Sequence, residues 1–355
     1  MNGIERLSKV DAGTPVFLGL DLSKLSWHIT VRACGETVLS LNCPAQFTSL
    51  IPILKAGAHC RIASVYEAGP FGYTLHDWLS TQGVKSMVCS PAHVPVQAGN
   101  HVKTDRRDSL KLATLLEAGL LRPIAVPTLK ERTDRELVRQ RERLSVARRS
   151  SMAQINAFLL TYGIQAPQRS SARWTKRYVD WLGRIQLPEP FQQATFDSLR
   201  RRYLESDQHL KDHTRVLKRL ADTPAHAAGV ALLSSIPGFG WLTALTFSVE
   251  VFDWSRFTTG EPFSAFLGLT PSEYSSGQRI RHGGITHAGN IRLRTLLIES
   301  CWITIRHDAA LRVHYEALKK RRGAKRAIVA IARRMCHRIL AMVRTGELYR
   351  LEKAA

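Results

Sequence analysis

The chain is poor in acids and has no cysteine pair. With 29 Asp and Glu against 51 Lys and Arg in 355 residues, its formal charge is +22, and a surplus of that size points to a polyanionic partner. The six cysteines, Cys34, Cys43, Cys60, Cys89, Cys301 and Cys336, never stand as Cys-x-x-Cys. That argues against a zinc site and a disulfide scaffold and fits a reducing cytoplasm. No signal-peptide pattern opens the chain, and neither an amphipathic anchor nor a lipidation motif offers a membrane contact. One stretch lacks charge altogether, since no Asp, Glu, Lys or Arg lies between Asp222 and Glu250, but Pro237-Gly238-Phe239-Gly240 interrupts it. It reads as two short buried helices, not as a membrane span.

The positive charge is unevenly placed. Residues 101–220 carry 25 Lys and Arg against 13 Asp and Glu, and residues 279–355 carry 18 against 5, whereas 221–278 carry 1 against 5. Two basic segments therefore flank one with few charges, as in a protein that follows a polyanion along its length. The length suggests two or three domains.

The N-terminal third alternates in a way that predicts a mixed sheet covered by helices. Apolar runs at 16–22, 27–31 and 37–41 read as three strands at hairpin spacing. A helix at 45–55, a strand at 61–66, a helix at 70–80 and a strand at 83–89 follow. Thr104 then caps a helix at 105–117. Four acids gain meaning on this scaffold. Asp21 sits in the first strand and Glu67 at the end of the fourth, while Asp105 and Asp108, three apart, share a helix face. Carboxylates gathered in this way suit Mg²⁺ or Mn²⁺, which supports phosphodiester cleavage. Singly, each acid is an ordinary strand-end or helix-start residue. Lys103, Arg106 and Arg107 surround the last pair and could draw a phosphate backbone.

Residues 129–162 carry Leu137, Leu144, Ser151 and Phe158 at sevenfold spacing, and a second run carries Phe196, Leu199, Tyr203, Leu210, Leu217 and Leu220. The two predict a long antiparallel helix pair or coiled-coil arm. Trp174 and Trp181 lie between these runs among Lys176 and Arg177. Aromatic and basic residues mixed in this way can stack on unpaired bases, although packing against the arm is the commoner use of Trp.

Residues 232–250 have the form of a helix-hairpin-helix whose Pro-Gly-x-Gly turn, with Gly238 and Gly240, would present N–H groups to a phosphate. The loop from Pro271 to Asn290 follows. Gly277, Gly283, Gly284 and Gly289 deny it regular structure, and Ser275 and Ser276 precede Arg279 and Arg281. A serine hydroxyl beside cations is a candidate nucleophile for phosphoryl transfer. A plain turn is the ordinary alternative. Beyond it, a basic helix at 291–307 and a cationic helical tail at 319–350 close the chain.

Gly-Leu-Asp21, Tyr-Glu67-Ala-Gly-Pro, Lys-Thr-Asp105-Arg-Arg-Asp108, Ile-Pro-Gly-Phe-Gly and Gly-Leu-Thr-Pro-Ser-Glu-Tyr-Ser275-Ser276-Gly occur in this order. Together they resemble the DEDD transposases of bacterial insertion sequences, the family numbered one hundred and ten, in its eleven-eleven branch. The resemblance implies an α/β N-terminal domain of RNase H/RuvC-like fold at 1–128, a helical coiled-coil arm at 129–225, and a mainly α C-terminal transposase domain at 226–355. It implies metal ligation by Asp21, Glu67, Asp105 and Asp108, with Ser275 as nucleophile and Ser276 as the neighbour that could be confused with it. It further implies target and donor DNA as substrates, a structured noncoding guide (bridge) RNA, a homo-oligomer with shared active sites, and a cytoplasmic, nucleoid-associated location. Gln278 departs from the family, which often has a second Gly there. Two other readings compete: a junction nuclease using metal-activated water, and a non-catalytic nucleic-acid-binding scaffold.

Overall fold

The structure is a computed structural model that describes residues 2–95, 104–166, 174–273 and 282–351. It comprises two compact units, Met1–Val126 and Pro127–Ala355.

The first unit runs α1 (Gly3–Ser8), β1 (Pro15–Leu22), β2 (Ser26–Ala33), β3 (Glu36–Pro44), α2 (Ile51–Ala56), β4 (Arg61–Glu67), α3 (Thr74–Thr81), β5 (Lys85–Cys89) and α4 (Asp105–Glu117). Its five strands form one sheet in the order β3-β2-β1-β4-β5. β2 pairs antiparallel with β1 and β3, whereas β1, β4 and β5 are parallel. Strand alternation sorts the side chains of β1. Val16, Leu18 and Leu20 face a core shared with Leu7, Leu50, Ile53, Leu75 and Leu79. Gly19 faces the other way, where α4 lies so close that a Cβ would stand 2.5 Å from the Ala113 nitrogen and collide with the Ser109 carbonyl. Only glycine fits there.

Two predicted helices begin later than the sequence suggests. The helix expected at 45–55 is a single 3-10 turn, Phe47–Leu50, followed by α2. Pro52 lacks an N–H and its ring would meet the carbonyl one turn back, so a helix cannot run through it but can begin there. The helix expected from Pro70 starts at Thr74, because the Tyr66 hydroxyl donates to the Gly72 carbonyl at 3.1 Å and holds the intervening residues as a turn.

The second unit opens with α5 (Leu129–Thr161), α6 (Lys176–Leu182) and α7 (Pro190–Ala221). Arg141 meets Thr214, Arg148 meets Asp207 and Ser151 meets Ser206, so α5 and α7 pair antiparallel. Ile155, Leu159, Phe196 and Tyr203 form a small core between them, closed by Tyr178 and Leu182 of α6. The remaining elements are α8 (Ala227–Ser234), α9 (Trp241–Val251), α10 (Gly260–Phe266), β6 (Pro271–Glu273), β7 (His282–Ile285), α11 (Ile291–His307), α12 (Ala309–Arg322) and α13 (Ala324–Thr345). A large apolar core joins them. The cationic tail is helical only to Thr345 and breaks once, at Gly323. Among the described residues no helix is long and apolar enough to cross a membrane.

Candidate active site

Asp21 and Glu67 stand on adjacent strands at one end of one sheet face, and the helix that begins with Asp105 and Asp108 starts over the same end. In β1, Asp21 stands on the same face as Gly19, opposite His28 of β2. In β4, Val65 packs against Leu112 and Leu116 of α4, so Glu67, two residues on, shares that face. The parallel register pairs Leu20 with Tyr66. One step further, Asp21 and Glu67 are therefore side by side on strands spaced about 4.8 Å apart. Above them α4 lies with its first turn over the C-terminal ends of these strands. Ser109 bonds both His28 Nδ1 and Thr30 Oγ1 of β2 at 2.8 Å, and Glu117, at the helix's other end, takes 2.6 and 2.8 Å hydrogen bonds from Arg32 and the Gly35 N–H. These contacts fix both the direction and the rotation of α4.

Asp105 lies one turn before Ser109, close enough to act electrostatically on His28. Burial lowers the His28 pKa, Asp105 opposes that shift and Arg106 adds to it. Asp108 precedes Leu112 by one turn, on the part of α4 that covers β4. Burial, reinforced by the Glu67 charge, pushes the Cys89 thiol up to about 11. Among the described residues, however, no three His, Cys, Asp or Glu side chains form a group that could hold a metal ion. The oxygen-only donor set has the chemistry that hard cations take.

Ser275, Ser276, Arg279 and Arg281 lie outside the described residues, as does Lys103. The residues that flank the serine segment in sequence are described. β6 and β7 pair antiparallel with Glu273 opposite His282, so the chain enters and leaves the serine segment at adjacent positions. The base of this hairpin is pinned to the helices. The Asn290 N–H donates to the Phe266 carbonyl at 2.8 Å, and the buried Arg294 donates to the carbonyls of Leu267 and His287. Asn290 also caps α11 by accepting from Leu293 N, and its amide reaches Glu250 at 3.0 Å.

Glu250 is a carboxylate that the sequence did not single out. It is 2% exposed at the end of α9. Arg139 grips it with two hydrogen bonds at 2.8 and 2.9 Å, Arg292 reaches it at 3.2 Å and Arg135 at 3.9 Å. Burial raises its pKa, but the hydrogen bonds from Arg139 and the three guanidinium charges outweigh that and hold it below the usual carboxylate range. One acid thus ties α5, α9 and the start of α11 together.

Comparison with known proteins assigns this arrangement to a family. Residues 18–164 match a transposase family profile of the DEDD type, and residues 230–316 match the profile described as the transposase IS116/IS110/IS902 family. A putative transposase, y4qE, of Sinorhizobium fredii is 33% identical over 81% of this chain and 71% of its own length. The transposase for insertion sequence element IS1111A of Coxiella burnetii is 30% identical over 94% of this chain and 91% of its own. A Leptospira borgpetersenii relative, the transposase for IS1533, is 24% identical over 81% and 84%. The chain belongs to the IS110 family of transposases. It is a DNA transposase with a mixed α/β N-terminal domain and a mainly helical C-terminal region.

The residues of this transposase expected to touch nucleic acid fall into two groups. Lys176 and Arg177 are exposed at the start of α6, and Arg106 and Arg107 at the start of α4. Trp174 is half-buried, its ring 4.6 Å from Tyr203 and 5.4 Å from Tyr178, so it packs the base of α6 against α7. Gly238, at φ +96°, turns against α11, where a Cβ would stand 2.6 Å from the Ser300 carbonyl, and Thr304 bonds the Pro237 carbonyl. That side of the turn faces protein. Gly240, the cap residue of α9, is exposed.

Proposed function

We propose that this transposase cuts and rejoins DNA through a phosphoserine link, using metal-assisted chemistry at Asp21, Glu67, Asp105 and Asp108 and guided by a structured noncoding RNA. What supports the reading is that Asp21 and Glu67 are neighbours on β1 and β4 while α4, which opens with Asp105 and Asp108, begins over the same strand ends, in a chain of the IS110 family. Mg²⁺ or Mn²⁺ held there would stabilise negative charge on a scissile phosphodiester. The carboxylates would hold the ion, and α4, anchored through Ser109 and Glu117, would keep Asp105 and Asp108 over the strand ends. The Ser275 hydroxyl would form a new P–O bond while one bridging P–O bond of the DNA breaks; its proton leaves and a deoxyribose hydroxyl is released. Rejoining reverses these bond changes with a different hydroxyl.

The same reading assigns a RuvC-like domain to 1–128, a coiled-coil arm to 129–225 and a transposase domain with a helix-hairpin-helix to 226–355. It also calls for an oligomer on target and donor DNA. A labelled donor DNA, incubated with the protein and its copurifying RNA, tests the chemistry. Wild-type protein leaves label attached to the chain after denaturation, and Ser275→Ala and Asp21→Ala do not. Cleavage by Ser275→Ala without any adduct would instead make metal-activated water the nucleophile.

A further inference from the structure

Within the second unit, a cleft opens between α5, α9 and α11, lined by none of the predicted catalytic or nucleic-acid-contacting residues. Its volume is about 470 Å³, and Arg141, Arg149, Thr243, Thr246, Arg292 and Thr295 are among the residues around it. Apolar contact comes from Leu242 and Leu296. The size is that of a ligand cleft, roughly 300–1,000 Å³.

The charges in this cleft are unbalanced. Glu142, the single acid in its lining, is already engaged by Arg292, which also reaches Glu250. Arg141 is half-buried and donates to the Thr214 hydroxyl at 3.0 Å; among the described residues it pairs with no carboxylate. Burial accordingly lowers its pKa with no acid to oppose the shift. Arg149, two turns along α5, is exposed and also pairs with no carboxylate among the described residues. Desolvating a guanidinium without an anion is costly, and an arriving anion removes that cost. Arginine forks and threonine hydroxyls are donors suited to phosphate oxygens. The first turn of α9, whose cap Gly240 has no side chain to accept from it, adds N–H groups near Thr243.

We propose that this cleft is a binding site for the sugar–phosphate backbone of duplex DNA, with Arg141 and Arg149 each contacting a phosphate. DNA is the occupant because the charge of the cleft matches a polyanion and the chain is a DNA transposase. The contact carries no sequence information; it fixes position on the duplex. It is independent of the serine chemistry, so loss of cleavage by Ser275→Ala leaves it untouched.

Fluorescence anisotropy of the full chain with a short labelled duplex, repeated across a salt series, tests the site. Arg141→Gln/Arg149→Gln lowers the slope of log K against log salt by about 1.8, or about 0.9 per lost contact, and weakens binding about tenfold at low salt. Thr243→Glu guards against a folding artefact. It puts an acid at the third position of α9, where it suits the helix and repels phosphate. It keeps the wild-type melting temperature and also weakens binding. Arg201→Gln/Arg219→Gln, which removes two exposed charges from α7, leaves affinity within about twofold and the slope nearly unchanged. Three outcomes overturn the proposal: cleft variants that bind duplex like the wild type, an equal loss in the α7 control, or a loss confined to RNA.

Discussion

Replacing Glu250 with Ala removes one carboxylate and leaves the guanidinium groups of Arg135, Arg139 and Arg292 turned toward the same buried space. Breaking a buried pair by deleting one partner costs about 3–5 kcal/mol, most of it from the uncompensated charge left behind. At about 2–4 °C per kcal/mol for a unit of this size, the melting temperature falls by roughly 6–20 °C. Differential scanning calorimetry of the full chain reads this directly, in the transition of the second unit. Glu250→Gln, which keeps hydrogen-bonding capacity but not the charge, falls between the two.

The acid dependence has a definite sign. Because the folded-state pKa of Glu250 is depressed, its stabilisation is complete above its unfolded pKa of about 4.3 and is lost as pH falls through the folded value. The gap between wild type and Glu250→Gln therefore narrows below about pH 4.3. A Glu250→Ala protein melting within about 2 °C of wild type at neutral pH would refute the view of this acid as the tie between three helices.

Other perturbations probe the sheet end. Gly19→Ala drives a methyl into the backbone of α4 and costs about 1–3 kcal/mol or more in the first unit, read from urea melts; unchanged stability would mean that α4 does not sit on β1. Millimolar Mg²⁺ raises the melting temperature of the wild type, by about 2.7 kcal/mol of added stability at a hundredfold excess over Kd, and Asp105→Asn lessens that gain. A flat titration would remove the metal from the mechanism. Asp21→Ala and Ser275→Ala proteins, each inactive alone, recover strand cleavage when mixed; continued inactivity in demonstrably mixed oligomers would mean that each chain completes its own site.

The N-terminal order of strands and helices was legible because each element is short and bounded by its own signals: Asp21 closes an apolar run, and Thr104 announces α4. The placement of α4 was not legible. It depends on Gly19 admitting a helix backbone and on Ser109 bonding two β2 side chains about 80 residues earlier. His28 escaped notice for the same reason, since its place beside Asp21 follows from strand register and not from sequence proximity. Glu250 looked like the first charge after an apolar stretch. Its arginine partners on α5 lie more than a hundred positions earlier, and no local pattern reports a tie of that kind. Trp174 was ambiguous in sequence because stacking on a base and stacking on a tyrosine ask for the same surface.

The grip on Glu250 also has a mechanical side. α5 is held near its start, at Arg135 and Arg139, and extends a further 22 residues to Thr161. At 1.5 Å per residue this stretch is about 33 Å long, so a tilt of about 5° at the base displaces the far end by about 3 Å. The helix pair is thus a lever with a buried carboxylate at its fulcrum. Because Arg292 and Asn290 share that fulcrum, a load on the distal end of α5 is felt as torque at the first turn of α11.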